Sequence, residues 1–293
     1  MSETSLEYFT LTYKDEPGRV LRGRVERPTD AGERPLPWVL FLHGFMGFMN
    51  WGFNPEMSRR IARAGMAAVY FNHSGSGIGE DLMSFTELDA FARHTFTRQL
   101  EDTERVRLAA CGGELGALDA ERAGLVGHSR GGGLALIHGA EAGSYGAVVT
   151  WAAVPEMLSL TADTREEWRR RGYSTVTNGR TGQELRMDVV GLEDWENNRE
   201  RFDVGAACGR LGASLLLIHG SEDEAVPFGA LARLERAARG GAETGQLVRA
   251  LAIEGTGHTF GITHPMVESS AAFETVAEQT LAALEAGLGQ GAG

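Results

Sequence analysis

The stretch GLVGHSRGGG, Gly124 to Gly133, crowds glycines on both sides of one serine, Ser129. Glycine costs backbone entropy in regular structure, so such a cluster signals a tight turn or a close approach of two backbones. The residues leading in, AGLVG, are short, apolar and strand-like, and those leading out, GLALIHGAEA, suit a helix. Gly127 and Gly131 stand two residues either side of Ser129. A serine on a strand-to-helix turn with that spacing is the pattern of a nucleophile elbow, in which the hydroxyl is held clear of a sheet.

Outward from this turn the chain alternates. SLEYFTLTY and RVLRGRVER flank KDEPG and predict a hairpin. LPWVLFLHG and MAAVYFN are the continuous apolar runs of buried parallel strands. Between them, NPEMSRRIARAG predicts a helix with Asn54 as N-cap, Pro55 at its first position and Gly65 as stop signal. Leu88, Phe91, Phe96 and Leu100 recur near helical spacing and predict one helix from about Glu87 to Ala110. GAVVTWAAV, ASLLLIHG and QLVRALAIEG complete eight strands, and MVESSAAFETVAEQTLAALEAG closes the chain as a helix. Strands alternating with helices imply an α/β architecture: a mostly parallel eight-stranded sheet with helices on both faces. The polar interval 155–210 breaks the rhythm, and a small hairpin turning near Asn178-Gly179 is expected within it. An excursion of that length predicts a small inserted cap between core strands six and seven, with 1–154 and 211–293 forming the core.

Bulk properties narrow the partners. The chain has 293 residues, 28 basic and 40 acidic, for a formal net charge of -12. Such acidity argues against a sequence-independent nucleic-acid partner, which needs basic surface to displace counterions. Lys14 is the only lysine, so nearly all positive charge is arginine. The two cysteines, Cys111 and Cys208, lie far apart, which argues against a disulfide framework. Neither a signal core nor a membrane-length apolar run is present, so a cytoplasmic protein with no membrane partner is the expectation. A homodimer is compatible with the sequence. No H-E-x-x-H spacing occurs among the eight histidines, so no metal is expected.

A serine hydroxyl needs a base to take its proton and a carboxylate to orient that base. Both should stand on loops after later strands, in the order serine, acid, histidine. SEDEAVP follows SLLLIHG, and TGHTF follows LAIEG. His258 is the candidate base, with His264 as its near rival. Glu222, Asp223 and Glu224 are adjacent, and the residues alone leave open which is the acid.

Four pieces in this order, HGF at His43–Phe45, GHSRG at Gly127–Gly131, HGSEDEAVP at His219–Pro227 and GTGHTF at Gly255–Phe260, resemble the α/β-hydrolase family over nearly the whole chain. Within it, the chain looks most like bacterial dienelactone-hydrolase-related and cinnamoyl-esterase-like serine hydrolases. It departs from true dienelactone hydrolases, whose nucleophile is cysteine. The resemblance implies Ser129 as nucleophile, Asp223 as acid and His258 as base. It also implies an oxyanion hole from the backbone N–H groups of Phe45 and Arg130, and no cofactor. The activity implied is hydrolysis of a small-molecule carboxylic ester, with a small or medium acyl or aryl group, hydroxycinnamoyl included. A serine peptidase of prolyl-oligopeptidase-like type would use the same triad, although such enzymes usually carry a propeller gate for which this length leaves no room. A non-catalytic binder would typically have lost a triad member.

Met46, Phe48, Trp151, Trp168 and Trp195 are candidates to line an acyl pocket, each with core or lid packing as the competing reading. GSGIGE at Gly75–Glu80 resembles a dinucleotide fingerprint but lacks its third glycine, and reads instead as a turn beside the active site. His43, His128 and His219 are expected to brace loops. Arg169, Arg170 and Arg171 read as a solvated helix face.

Overall fold

Strands sandwiched between two helical layers must bury both faces, which is why LPWVLFL and AAVYFN lack polar alternation. A computed structural model describes residues 3–241 and 247–289 of the chain. β1 (Thr4–Thr12) and β2 (Val20–Pro28) pair as an antiparallel hairpin around Pro17-Gly18. Then come β3 (Leu36–Leu42), α1 (Asn54–Arg63), β4 (Ala67–Asn72), α2 (Leu88–Ala92) and α3 (Phe96–Cys111). β5 (Leu118–His128), α4 (Arg130–Ala142) and β6 (Tyr145–Trp151) carry the chain through the glycine cluster. The interval beyond holds α5 (Ala162–Arg171), β7 (Tyr173–Thr177), β8 (Glu184–Asp188), α6 (Val190–Asn197) and α7 (Val204–Gly209). β9 (Ser214–Gly220), α8 (Gly229–Gly241), β10 (Val248–Ile253) and α9 (Ala271–Leu288) complete the order.

Among the described residues, eight strands form one sheet in the order β1-β2-β4-β3-β5-β6-β9-β10. β2 is antiparallel to both neighbours, and every pairing from β4 to β10 is parallel. This is the α/β-hydrolase sheet. Alternation along each strand sorts the core into two layers. Trp38, Leu40 and Leu42 of β3 join the layer under α3, α4, α7 and α8, whereas Val39 and Phe41 join the layer under α1 and α9.

The inserted interval pairs β7 with β8 antiparallel, apart from the main sheet. The hairpin is held down by Leu185, buried with Phe48, Phe85 and Phe91, and by the Gln183 amide donating to the Phe85 carbonyl at 3.1 Å. At its other end Asp194 accepts from the Thr97 N–H at 3.0 Å. The cap's expected end at residue 210 needs correction. α7 packs against α4 and α8, with Val204, Ala207 and Cys208 in the core layer, so residues 204–210 belong to the body of the fold.

Two further expectations change. Asn54 does not cap α1: its amide donates to the Phe48 carbonyl at 2.9 Å, and Phe53 occupies the N-cap position. The helix expected from Glu87 to Ala110 is two helices. Thr95 turns out of helical geometry, and its hydroxyl accepts the Arg98 N–H at 3.1 Å, starting α3 afresh. The break leaves His94 between the helices, with its Nδ1 2.7 Å from the Phe91 carbonyl.

Candidate active site

Ser129 sits between β5 and α4 with φ 58° and ψ -121°, a backbone that L-residues rarely adopt. Its own main chain holds it there. The N–H donates to the Trp151 carbonyl at 2.8 Å, and the carbonyl accepts from Gly132, Gly133 and Val154. The flanking glycines are required by contact. A Cβ on Gly127 would lie 2.2 Å from the Gly131 carbonyl oxygen, and one on Gly131 would lie 2.2 Å from that of Leu42. Gly127→Ala should therefore spread the turn and cost about 1–3 kcal/mol, as overpacking does. Denaturant unfolding checks this, and a midpoint equal to that of the unaltered chain would show the turn to be looser than described.

Asp223 follows β9, with its side chain buried. Its Oδ1 accepts the N–H groups of Ala225 and Val226, both at 2.9 Å. Its Oδ2 lies 2.8 Å from His258 Nδ1 and 3.2 Å from His219 Nε2. Burial would raise its pKa, but hydrogen bonds from His219, His258 and the Val226 N–H outweigh that and hold the carboxyl well below the usual carboxylate range. Asp223 thus stays ionised and fixes the Nδ1–H tautomer of His258, leaving Nε2 free to accept a proton. Glu222 and Glu224, in contrast, make no such contact with His258.

Ser129 and His258 open onto one cavity of about 140 Å³, shared with Gly44, Phe45 and Met46. Arg130 opens α4, where first-turn N–H groups have no acceptor inside the helix. Phe45 follows Gly44, whose backbone passes so near Ser129 that a Cβ there would meet the serine Cβ at 3.0 Å. Backbone donors from two sides of the serine are what an oxyanion hole needs.

The other candidates scatter. Met46, with φ 54°, lines this cavity, and Trp168 lines a second one of about 270 Å³ beneath the insertion. Trp151 lines neither. Its parity on β6 turns it toward α9, where Nε1 donates to the Thr280 hydroxyl at 2.9 Å among Phe41, Phe53 and Phe273. Phe48 is buried under the hairpin, and Trp195 packs against the core layer beneath the Arg199 guanidinium. These three are packing residues.

Among the histidines, His264 is spent on the Gly52 N–H, which it accepts at 2.9 Å. His128 lies 3.0 Å from the His258 carbonyl, and burial together with the neighbouring His258 pushes it down to about 3, so it braces the loop as a neutral ring. His43 rests against its own Gly44 carbonyl, and His219 against that of Val226. The GSGIGE loop packs on α2 and His94, where Cβ atoms on Gly75 and Gly77 would meet His94 and Phe91. Arg169 and Arg170 pair with Glu196 and Glu167 on the surface. His94, Val176 and Met187, which also line the second cavity, were not among the sequence candidates. No motif marks them, because their place depends on how the hairpin docks. Among the described residues no group of three His, Cys, Asp or Glu side chains could hold a metal ion, and no helix is long and apolar enough to cross a membrane.

Solved structures share this architecture. The esterase domain of a Rhodothermus marinus protein is 20% identical with a TM-score of 0.64, covering 97% of this chain and 100% of that one. Est1E from Butyrivibrio proteoclasticus is 16% identical with a TM-score of 0.65, covering 94% and 96% respectively. The dienelactone hydrolase of Anabaena variabilis is 17% identical with a TM-score of 0.59, covering 98% and 99%. No curated protein sequence matches the chain. Residues 51–280, well over half of its length, match the sequence pattern of Peptidase_S9, and the chain belongs to this prolyl oligopeptidase family.

Proposed function

We propose that this chain is a serine carboxylic-ester hydrolase working through an acyl-enzyme. The observation that carries the reading is the Asp223–His258 contact at 2.8 Å, opening onto the same cavity as Ser129. Ser129 Oγ attacks the ester carbonyl carbon while His258 Nε2 takes the hydroxyl proton. The carbonyl oxygen becomes an oxyanion facing the N–H groups of Phe45 and Arg130. When the tetrahedral intermediate collapses, the bond to the alcohol oxygen breaks and His258 returns its proton to that alcohol. Water then adds to the acyl carbon with His258 again as base, releasing the acid and regenerating the serine.

A small or medium acyl or aryl group suits the reading, since the cavity beneath the insertion is about 270 Å³ and is lined by Phe96, Leu158, Trp168 and Met187. Est1E has been solved with ferulic acid bound, which adds support for an aryl acyl group. The family match keeps peptide cleavage as the competing reading. Turnover of a p-nitrophenyl ester against the p-nitroanilide of the same acid separates them. The activated ester is the more reactive for any serine hydrolase, so the anilide decides: it and a blocked peptide should stay essentially uncleaved, and measurable turnover of either would assign the chain to the peptidases. Fluorophosphonate labelling should mark Ser129, and an unlabelled serine would remove both readings together.

A further inference from the structure

Arg130 carries a second feature, in its side chain. The guanidinium lines the 270 Å³ cavity beneath the insertion, and no carboxylate among the described residues pairs with it. Its Cζ stands 3.8 Å from the centroid of the Phe45 ring and 5.2 Å from that of Phe96. Its one side-chain polar contact among the described residues is weak: NH1 lies 3.5 Å from His94 Nε2. Because His94 Nδ1 faces the Phe91 carbonyl, Nε2 offers a lone pair, and burial followed by the Arg130 charge pushes His94 down to about 4. The neighbour is thus a neutral acceptor. Asp188 lines the same cavity, but its carboxylate is taken by Arg186 Nε at 2.6 Å.

Most arginines of this chain in comparable settings are paired. Arg19 meets Asp102 at 2.7 Å, and Arg24 meets Glu26 at 3.4 Å. A guanidinium placed among aromatic rings without a counter-ion costs free energy that a bound anion would offset. Burial lowers the Arg130 pKa to about 9, so the group is still charged at neutral pH.

The position also says which part of a substrate reaches it. A departing alcohol must sit beside His258, which lines the first cavity and not the second. The acyl part then extends the other way, past Phe45, which lines both cavities. We propose that Arg130 is a specificity-determining residue that selects acyl chains bearing a carboxylate, making half-esters of dicarboxylic acids the preferred substrate class. This rests on the esterase reading above.

The test compares methyl hexanoate with monomethyl adipate, six-carbon acyl chains that differ in a terminal methyl or carboxylate. The full chain should show kcat/KM about 10- to 100-fold higher for the half-ester, the range expected of a hydrogen bond between charged groups. Arg130→Met should bring the ratio to one or below, and Arg130→Lys should keep part of it. Equal rates in the unaltered chain, or a preference that survives Arg130→Met, would overturn the assignment. If Arg130→Met fails to fold, the unaltered chain and Arg130→Lys still decide it.

Binding separates this proposal from the one beneath it. In Ser129→Ala, calorimetry should find monomethyl adipate bound more tightly than methyl hexanoate, a difference lost on adding Arg130→Met. Equal binding there overturns the role of Arg130. Preferential binding without any ester turnover by the unaltered chain would instead remove the esterase reading and leave a carboxylate site.

Discussion

Ser129→Ala should abolish ester turnover while leaving the fold intact. The methyl side chain can occupy the same strained backbone, because that conformation is held by main-chain bonds to Trp151, Gly132, Gly133 and Val154 rather than by the hydroxyl. What disappears is the hydroxyl that attacks the acyl carbon in the proposed reaction. In serine proteases the loss of such a group costs about 10⁴- to 10⁶-fold in kcat, with residual catalysis from oxyanion stabilisation and binding. Steady-state hydrolysis of p-nitrophenyl butyrate measures the effect, and unchanged circular dichroism confirms the fold. A variant retaining a tenth of the original rate would exclude Ser129 as nucleophile.

Asp223→Asn should come close in effect, for a different reason. The N–H groups of Ala225 and Val226 demand an acceptor at 2.9 Å, so the asparagine oxygen must take the place of Oδ1. Its NH₂ group then replaces Oδ2, facing His258 Nδ1 and His219 Nε2. A donor there forces the His258 proton onto Nε2, which removes the lone pair that would accept from Ser129. A fall of about 10⁴ in kcat is expected, the size found when the orienting carboxylate is lost elsewhere. The His219 contact makes the substitution a stability change as well, about 1–3 kcal/mol for a mispaired buried donor. Because the folded pKa of Asp223 is depressed, its contribution to stability is fully present above the unfolded value of ~3.9 and is lost only as pH falls below that toward the folded value. Stability lost through the substitution should therefore be evident at neutral pH and shrink in acid. A variant within tenfold of the original rate would mean that Asp223 does not set the His258 tautomer.

Much of this molecule is readable locally. β3, β4 and β9 are apolar on both faces because helices cover both, and that composition survives in any context. Gly127 and Gly131 announce a backbone crossing that excludes even a methyl group. Other readings failed where a local pattern has two structural solutions. Asn54 before Pro55 has the form of a helix cap, yet its amide is drawn to the Phe48 carbonyl by a loop folding back. Leu88, Phe91, Phe96 and Leu100 keep helical spacing across a break, since Thr95 can either continue a helix or start one. Trp151 ends the strand beside the site, but a one-residue change of parity separates the cavity from the α9 face, and its indole lies on the latter.

By itself the sequence determined the succession of the eight core strands, the serine on its glycine turn, and the loops that carry Asp223 and His258, because each is written in residues that are neighbours along the chain. Only the tertiary structure decided that His219 shares the Asp223 carboxylate, that the hairpin roofs the second cavity with Val176 and Met187, and that Arg130 meets aromatic rings and, among the described residues, no acid. His219 and Asp223 stand only four positions apart but meet through the turn of a loop. The other facts join residues tens to more than a hundred positions apart or depend on which partner is missing, and a charge reads the same in sequence whether or not the fold brings it a counter-ion.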